Sequence, residues 1–159
     1  MNDKLIVGIA DMKMAKGGEK LITYALGSCI GICLYEKQMK LAALIHIMLP
    51  LNLETGRKNV YKYADTGIRS TLKEMELKGA QRSSITAKIA GGARMFEISG
   101  GSIGNIGQRN IESVRQILRM EKIPILWENV GGTVARTMEF DSTTGNGVIR
   151  SYGHPDISF

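Results

Sequence analysis

At 159 residues with 43% apolar content, the chain carries enough hydrophobic surface for one domain with a true core, which excludes a stapled miniprotein or a disordered tail. Its net charge of +6 is scattered, with Arg57, Lys58 and Lys62 the nearest thing to a basic cluster, and aromatic residues are only 6%, so nucleic-acid binding is a poor fit. Two cysteines are too few for a disulfide framework and no apolar run reaches the ~18 residues of a membrane span, so a cytoplasmic, soluble, single catalytic domain over 1–159 is expected.

Residues 5–9 and 21–25 are short apolar runs that read as strands, with the polar segment 13–20 as a turn between them. Gly27 and Ser28 interrupt the second run just before Cys29. A glycine there opens backbone angles closed to other residues and re-aims the side chain that follows. The strand-like segments 23–35 (TYALGSCIGICLY) and 40–50 (KLAALIHIMLP) adjoin one another. Alternation puts Cys29, Gly31, Cys33 and Tyr35 on one face, with Ile30, Ile32 and Leu34 on the other. In the next segment Ala42, Leu44, His46 and Met48 share a face, opposite Ala43, Ile45, Ile47 and Leu49. Both faces are largely apolar, which predicts a central hairpin covered on both sides and ended by Pro50. Cys29 and Cys33 lie roughly 13 Å apart along a strand at ~3.3 Å per residue, too far to bridge.

Residues 52–59 are polar and read as a loop. Tyr61, Ala64, Ile68, Leu72 and Met75 then recur at helical spacing, with Gly79 as the C-terminal stop. Residues 84–90 return to strand alternation, and 91–107 form a loop with six glycines. A second helix carries Ile111, Val114, Ile117 and Leu118 on one face and stops before Pro124. Strands at 123–127, 133–140 and 148–152 close the chain, the last two joined by a turn around Gly145, Asn146 and Gly147. The expected class is α/β: a layered sandwich of mixed, largely antiparallel β-sheets covered by two main helices, in an α/β/β/α-like order.

If the two segments pair as a hairpin about Lys37 and Gln38, opposed residues sum to 75 and Cys29 faces His46. Directly opposed Cβ atoms lie roughly 4.5–5.5 Å apart, a separation that suits a nucleophilic thiol and its imidazole base. Thr23 shares the parity of Cys29 and is a candidate to orient that imidazole; Gly27 and Ser28 are candidates for shaping the site or an oxyanion hole. Each residue also has a plainer reading. Cysteine in an apolar run is often a small buried hydrophobe, and a core histidine often bonds a neighbouring carbonyl. Cys29, Cys33, His46 and His154 lack the spacing of a zinc site, and no metal or cofactor is expected. Gly101, Gly104 and Gly107 precede a helix but lack the ending of a phosphate-binding P-loop, so a surface turn or substrate-shaping loop is the better reading.

LGSC at 26–29, HIMLP at 46–50, KYADT at 62–66, AKIAGGA at 87–93, MF at 95–96, IGQRN at 106–110 and ENVGGTVARTMEFD at 128–141 stand in one order along the chain. In these motifs the sequence resembles the chemoreceptor glutamine deamidase family of bacterial chemotaxis, CheD, over all but its first few residues and the tail after about 152. The resemblance implies a nucleophilic cysteine in LGSC, a histidine base in HIMLP and an orienting threonine six residues before the cysteine, here Cys29, His46 and Thr23. It implies a cysteine-dependent protein-glutamine glutaminase acting on chemoreceptor cytoplasmic helices, with glutamyl methyl esters as further substrates and a CheC-type phosphatase as partner. Asn129 stands where the family commonly has aspartate, and Leu51 where a small polar residue is usual; neither is one of the three site residues. A free thiol has a pKa near 8.5, so His46 is expected to draw its proton and hold an imidazolium–thiolate pair. The alternatives are a cysteine amidase or thiol hydrolase on another substrate, or a catalytically silent CheC-binding module.

Overall fold

A computed structural model of the chain describes residues 4–52, 59–95 and 105–159. Among them the strands are β1 (Lys4–Ile6), β2 (Asp11–Lys16), β3 (Lys20–Leu26), β4 (Ile30–Glu36), β5 (Leu41–Ile47), β6 (Ile85–Gly91), β7 (Ile125–Val130), β8 (Arg136–Asp141), β9 (Asn146–Arg150) and β10 (Ile157–Ser158). The helices are α1 (Ala64–Leu77) and α2 (Ile106–Met120). The strands form two five-stranded sheets, ordered β1-β3-β8-β9-β10 and β2-β5-β4-β6-β7. Only β1 with β3 and β6 with β7 run parallel.

The predicted two-faced hairpin is the middle of the second sheet. Ile30, Ile32, Leu34, Ala43, Ile45 and Ile47 meet the helices, packing with Ile68 and Leu72 of α1 and Val114 and Leu118 of α2. Cys33, Ala42 and Leu44 face the other way and join Leu21, Leu26, Met138 and Phe140 of the first sheet. The sandwich of two mixed sheets covered by two helices is therefore observed. Both helices share one outer face, so the layers run helices, second sheet, first sheet. α1 ends as its glycine predicts: Gly79 sits at φ 105° while its N–H and that of Ala80 cap the carbonyls of Glu76 and Met75.

Three local expectations change. The segment 23–35 is two strands in different sheets, β3 and β4, joined across the sandwich by Gly27, Ser28 and Cys29. The polar stretch 13–20 holds most of β2, an edge strand in which Met12 and Met14 pack toward the helices and Ala15 toward the first sheet. An edge strand needs only one partner, so its lysines can stay in water, which hides it from a search for apolar runs. Finally, β4 and β5 pair with opposed residues summing to 77: Gly31 faces His46 and Glu36 faces Leu41. The turn is 37–40 and is held by the Glu36 carboxylate, which accepts from the N–H groups of Gln38 (2.7 Å) and Met39 (3.4 Å), with Lys40 at φ 54°. Most of the loops expected at 52–59 and 91–107, with Arg57, Lys58, Phe96, Gly101 and Gly104, lies outside the described residues.

Candidate active site

Thr23 projects from β3 into the space between the sheets, and His46 projects toward it from β5; both are buried. Thr23 Oγ1 lies 2.7 Å from His46 Nδ1 and 2.8 Å from the Val7 carbonyl oxygen. A hydroxyl has one proton, and a carbonyl can only accept. Both contacts are satisfied together only if Thr23 donates to Val7 and accepts from Nδ1–H. That arrangement sets the tautomer and leaves Nε2 with its lone pair free. Nε2 is buried and finds no hydrogen-bond partner among the described residues. The result is a neutral imidazole with its basic nitrogen uncommitted.

Past Thr23 the chain leaves the first sheet. β3 carries one extra residue between its Thr23–Met138 and Leu26–Arg136 pairs, a bulge whose positive φ falls on Ala25 (57°). The positive φ expected of Gly27 is thus taken two residues earlier. Gly27 instead lies close under a methionine: a Cβ there would come within 3.1 Å of Met95 Cγ, which would have to shift slightly. Cys29 follows, half-buried against the cluster between the sheets, just before β4 begins.

The register corrects the expected Cys29 to His46 opposition. Gly31 takes that place, and the missing side chain makes room for the first sheet: a Cβ at Gly31 would lie 3.0 Å from Leu26 Cδ1 and 3.1 Å from Met138 Sδ. A slip of two residues preserves the face, however, because side chains alternate with period two. Cys29 lies just outside the ladder, which ends at Ile30–Ile47, and packs into the cluster between the sheets, the side from which His46 meets Thr23. Cys33, four residues on, is fully buried, with its thiol 3.9 Å from Met138 Sδ. It is the small core hydrophobe that Cys29 is not.

Burial pushes the His46 imidazolium down to about 4 and pushes the Cys29 thiol up. Both shifts disfavour charge. Burial by itself thus works against the expected imidazolium–thiolate pair.

The loop bearing Cys29 is gripped from two sides. Ala93 N–H donates to the Gly27 carbonyl at 2.7 Å and Gly92 N–H to the Cys29 carbonyl at 2.8 Å. Asn110 of α2 donates its side-chain amide to the carbonyls of Ser28 and Met48, each at 2.9 Å. Asn110 is neither a nucleophile nor a base, and its only signal in the sequence is a polar residue beside Ile111 and Val114 on a buried helix face. The N–H of Gly27 is taken by the Ala25 carbonyl at 3.0 Å, which removes it as an oxyanion donor. Among the described residues, neither the Ser28 nor the Cys29 N–H donates to a backbone carbonyl. His154 is exposed in the C-terminal segment, and no three His, Cys, Asp or Glu side chains among the described residues are grouped to hold a metal ion.

A family model described as CheD chemotactic sensory transduction matches residues 48–151. That match begins after Thr23, Cys29 and His46, whereas similar full-length proteins span all three positions. One, from Syntrophomonas wolfei subsp. wolfei and named "Probable chemoreceptor glutamine deamidase CheD", is 48% identical over 156 residues and 97% of each chain. Another, the chemoreceptor glutamine deamidase CheD of Halalkalibacterium halodurans, is 44% identical over 155 residues and 95% of each chain. Among solved structures, a Neisseria meningitidis protein of the DUF152 family model resembles this chain with a TM-score of 0.54 over 84% of it. This chain spans 65% of that longer protein at 11% identity, a likeness of fold alone.

Proposed function

The chain belongs to the CheD family, and on that premise we propose that it deamidates glutamine side chains of chemoreceptors through a thioester on Cys29, acting in the cytoplasm. The observation that carries this reading is the Thr23–His46 contact, because it leaves a neutral imidazole nitrogen free on the sheet face that Cys29 shares. Sulfur bonds to the glutamine carboxamide carbon as its proton passes to His46 Nε2, giving a tetrahedral oxyanion. The N–H groups of Ser28 and Cys29 are the donors proposed for that oxygen, with Gly27 shaping the site. Collapse breaks the C–N bond while His46 returns the proton to the leaving nitrogen, and ammonia departs. Water then attacks the thioester carbonyl and gives its proton to His46; the C–S bond breaks, the thiol is restored and glutamate remains. A glutamyl methyl ester enters the same thioester with loss of methanol.

The test is incubation with a receptor cytoplasmic fragment, followed by mass spectrometry of its glutamine peptides. Each modified site gains about 1 Da when an amide becomes an acid, and Cys29→Ala or His46→Ala abolishes the gain. Folded wild-type protein that left every receptor peptide unchanged would refute the deamidase reading and leave an amidase or thiol hydrolase on another substrate. Unimpaired chemotaxis in a Cys29→Ala strain would instead point to a silent binding module. A CheC-type phosphatase is the partner proposed at the same site, and added phosphatase should then inhibit deamidation competitively.

A further inference from the structure

We propose that Asn110 is a positioning residue that aims the Cys29 backbone N–H at the reaction's oxyanion, a role that rests on the thioester reading above. The ladder between β4 and β5 ends at the pair Ile30–Ile47. Just beyond it, two residues before Ile30 and one after Ile47, the buried Asn110 amide bridges the Ser28 and Met48 carbonyls. Only an NH2 group can face two carbonyls, so the orientation of this amide follows from its partners.

The Ser28 carbonyl and the Cys29 N–H belong to one peptide plane. No described peptide bond is cis, and in a trans peptide these two groups point in opposite directions. Holding the carbonyl toward α2 therefore turns the Cys29 N–H away from it. The adjoining planes are held in the same manner, with the Gly27 carbonyl on Ala93 N–H and the Cys29 carbonyl on Gly92 N–H. Three consecutive carbonyls are thus occupied, and among the described residues no backbone carbonyl takes the N–H of Ser28 or Cys29. A carbonyl that accepts a hydrogen bond also polarises its own peptide and strengthens the N–H as a donor. Of the three clamps, only that from Asn110 is a side chain that substitution can remove.

The experiment compares two single-turnover reactions at Cys29 that need no receptor. In acylation by p-nitrophenyl acetate, sulfur adds to the carbonyl, an oxyanion forms, and p-nitrophenolate leaves as a thioester is made. In alkylation by iodoacetamide, sulfur displaces iodide from a saturated carbon and no oxyanion appears. Both reactions lose the thiol proton, and buried Cys33 is replaced by alanine in every protein so that the signal reports Cys29 alone. Asn110→Ala should slow acylation by about 10-fold or more while alkylation changes by less than about 3-fold, because only acylation uses the aimed N–H. If both rates fell together, or neither fell, the positioning role would be wrong. A wild-type protein that alkylates but does not acylate would sink it as well. Acylation lost selectively in the variant, with receptor glutamines untouched by wild type, would keep the positioning role and discard the deamidase reading. Circular dichroism checks folding, and if the alanine variant does not fold, the same ratio is read from Asn110→Ser, which keeps one donor.

Discussion

One hydroxyl proton decides the chemistry available to His46. Because the Val7 carbonyl takes the Thr23 proton, Nδ1 must carry its own, and the lone pair is left on Nε2. Thr23→Val keeps the shape but removes the acceptor, leaving Nδ1–H and the Val7 carbonyl unpaired. Turnover of the folded variant should fall by about 100-fold, the scale of a general base's contribution, with KM little changed. The pH dependence follows from the neutral base. Its protonation midpoint is depressed to about 4, so the competent form is present above that pH and is lost as pH falls through it. The acid limb of kcat/KM should lie near pH 4 in wild type; a limb near the ordinary histidine value of about 6.5 would show that burial does not govern this imidazole. Alternation already assigned Cys29 and His46 to one face. Period two survives a two-residue slip, which is why that assignment holds although the direct pairing does not.

At the scale of elements, the position of Cys29 is set by glycines that let backbone approach backbone. A Cβ at Gly91, whose φ is 115°, would lie 2.2 Å from the Cys29 carbonyl oxygen, and one at Gly107 would lie 2.6 Å from the carbonyls of Gly92 and Ala93. Gly91→Ala should therefore cost roughly 1–3 kcal/mol from overpacking and a similar amount from the strained φ, and should depress activity even where the protein folds. Gly8→Ala, where a Cβ meets nothing within 4 Å, is the control and should leave urea stability within about 1 kcal/mol of wild type. Comparable midpoints for the two variants would contradict the role given to Gly91. Both helices and the faces of β4 and β5 were legible because apolar spacing is a local signal. The turn at 37–40 was not, since it depends on a carboxylate folding back on its own backbone, and β2 was not, since its pairing with β5 comes from residues about 30 positions away.

At the scale of the whole molecule, charge and layering act on encounter rather than on bond making. The chain carries +6, and an acidic receptor surface would be attracted to it over a Debye length of about 8–10 Å at moderate salt. Raising ionic strength should increase KM for a receptor fragment while kcat stays nearly constant; a salt-independent KM would show that association does not rely on net charge. Family membership, the two helices, the two-sided hairpin and the three residues of the proposed site could all be read from the sequence, because motifs and periodicity are carried by neighbours along the chain. Tertiary structure alone decided that the run through Cys29 divides between two sheets, and that Thr23 reaches His46 across the sandwich rather than along a strand. It alone brought Asn110 from a helix 82 positions away onto the Ser28 carbonyl. The physical reason is common to these cases: hydrogen bonds between buried polar groups are made by whatever the packed layers bring within 3 Å, and sequence separation places no limit on that choice.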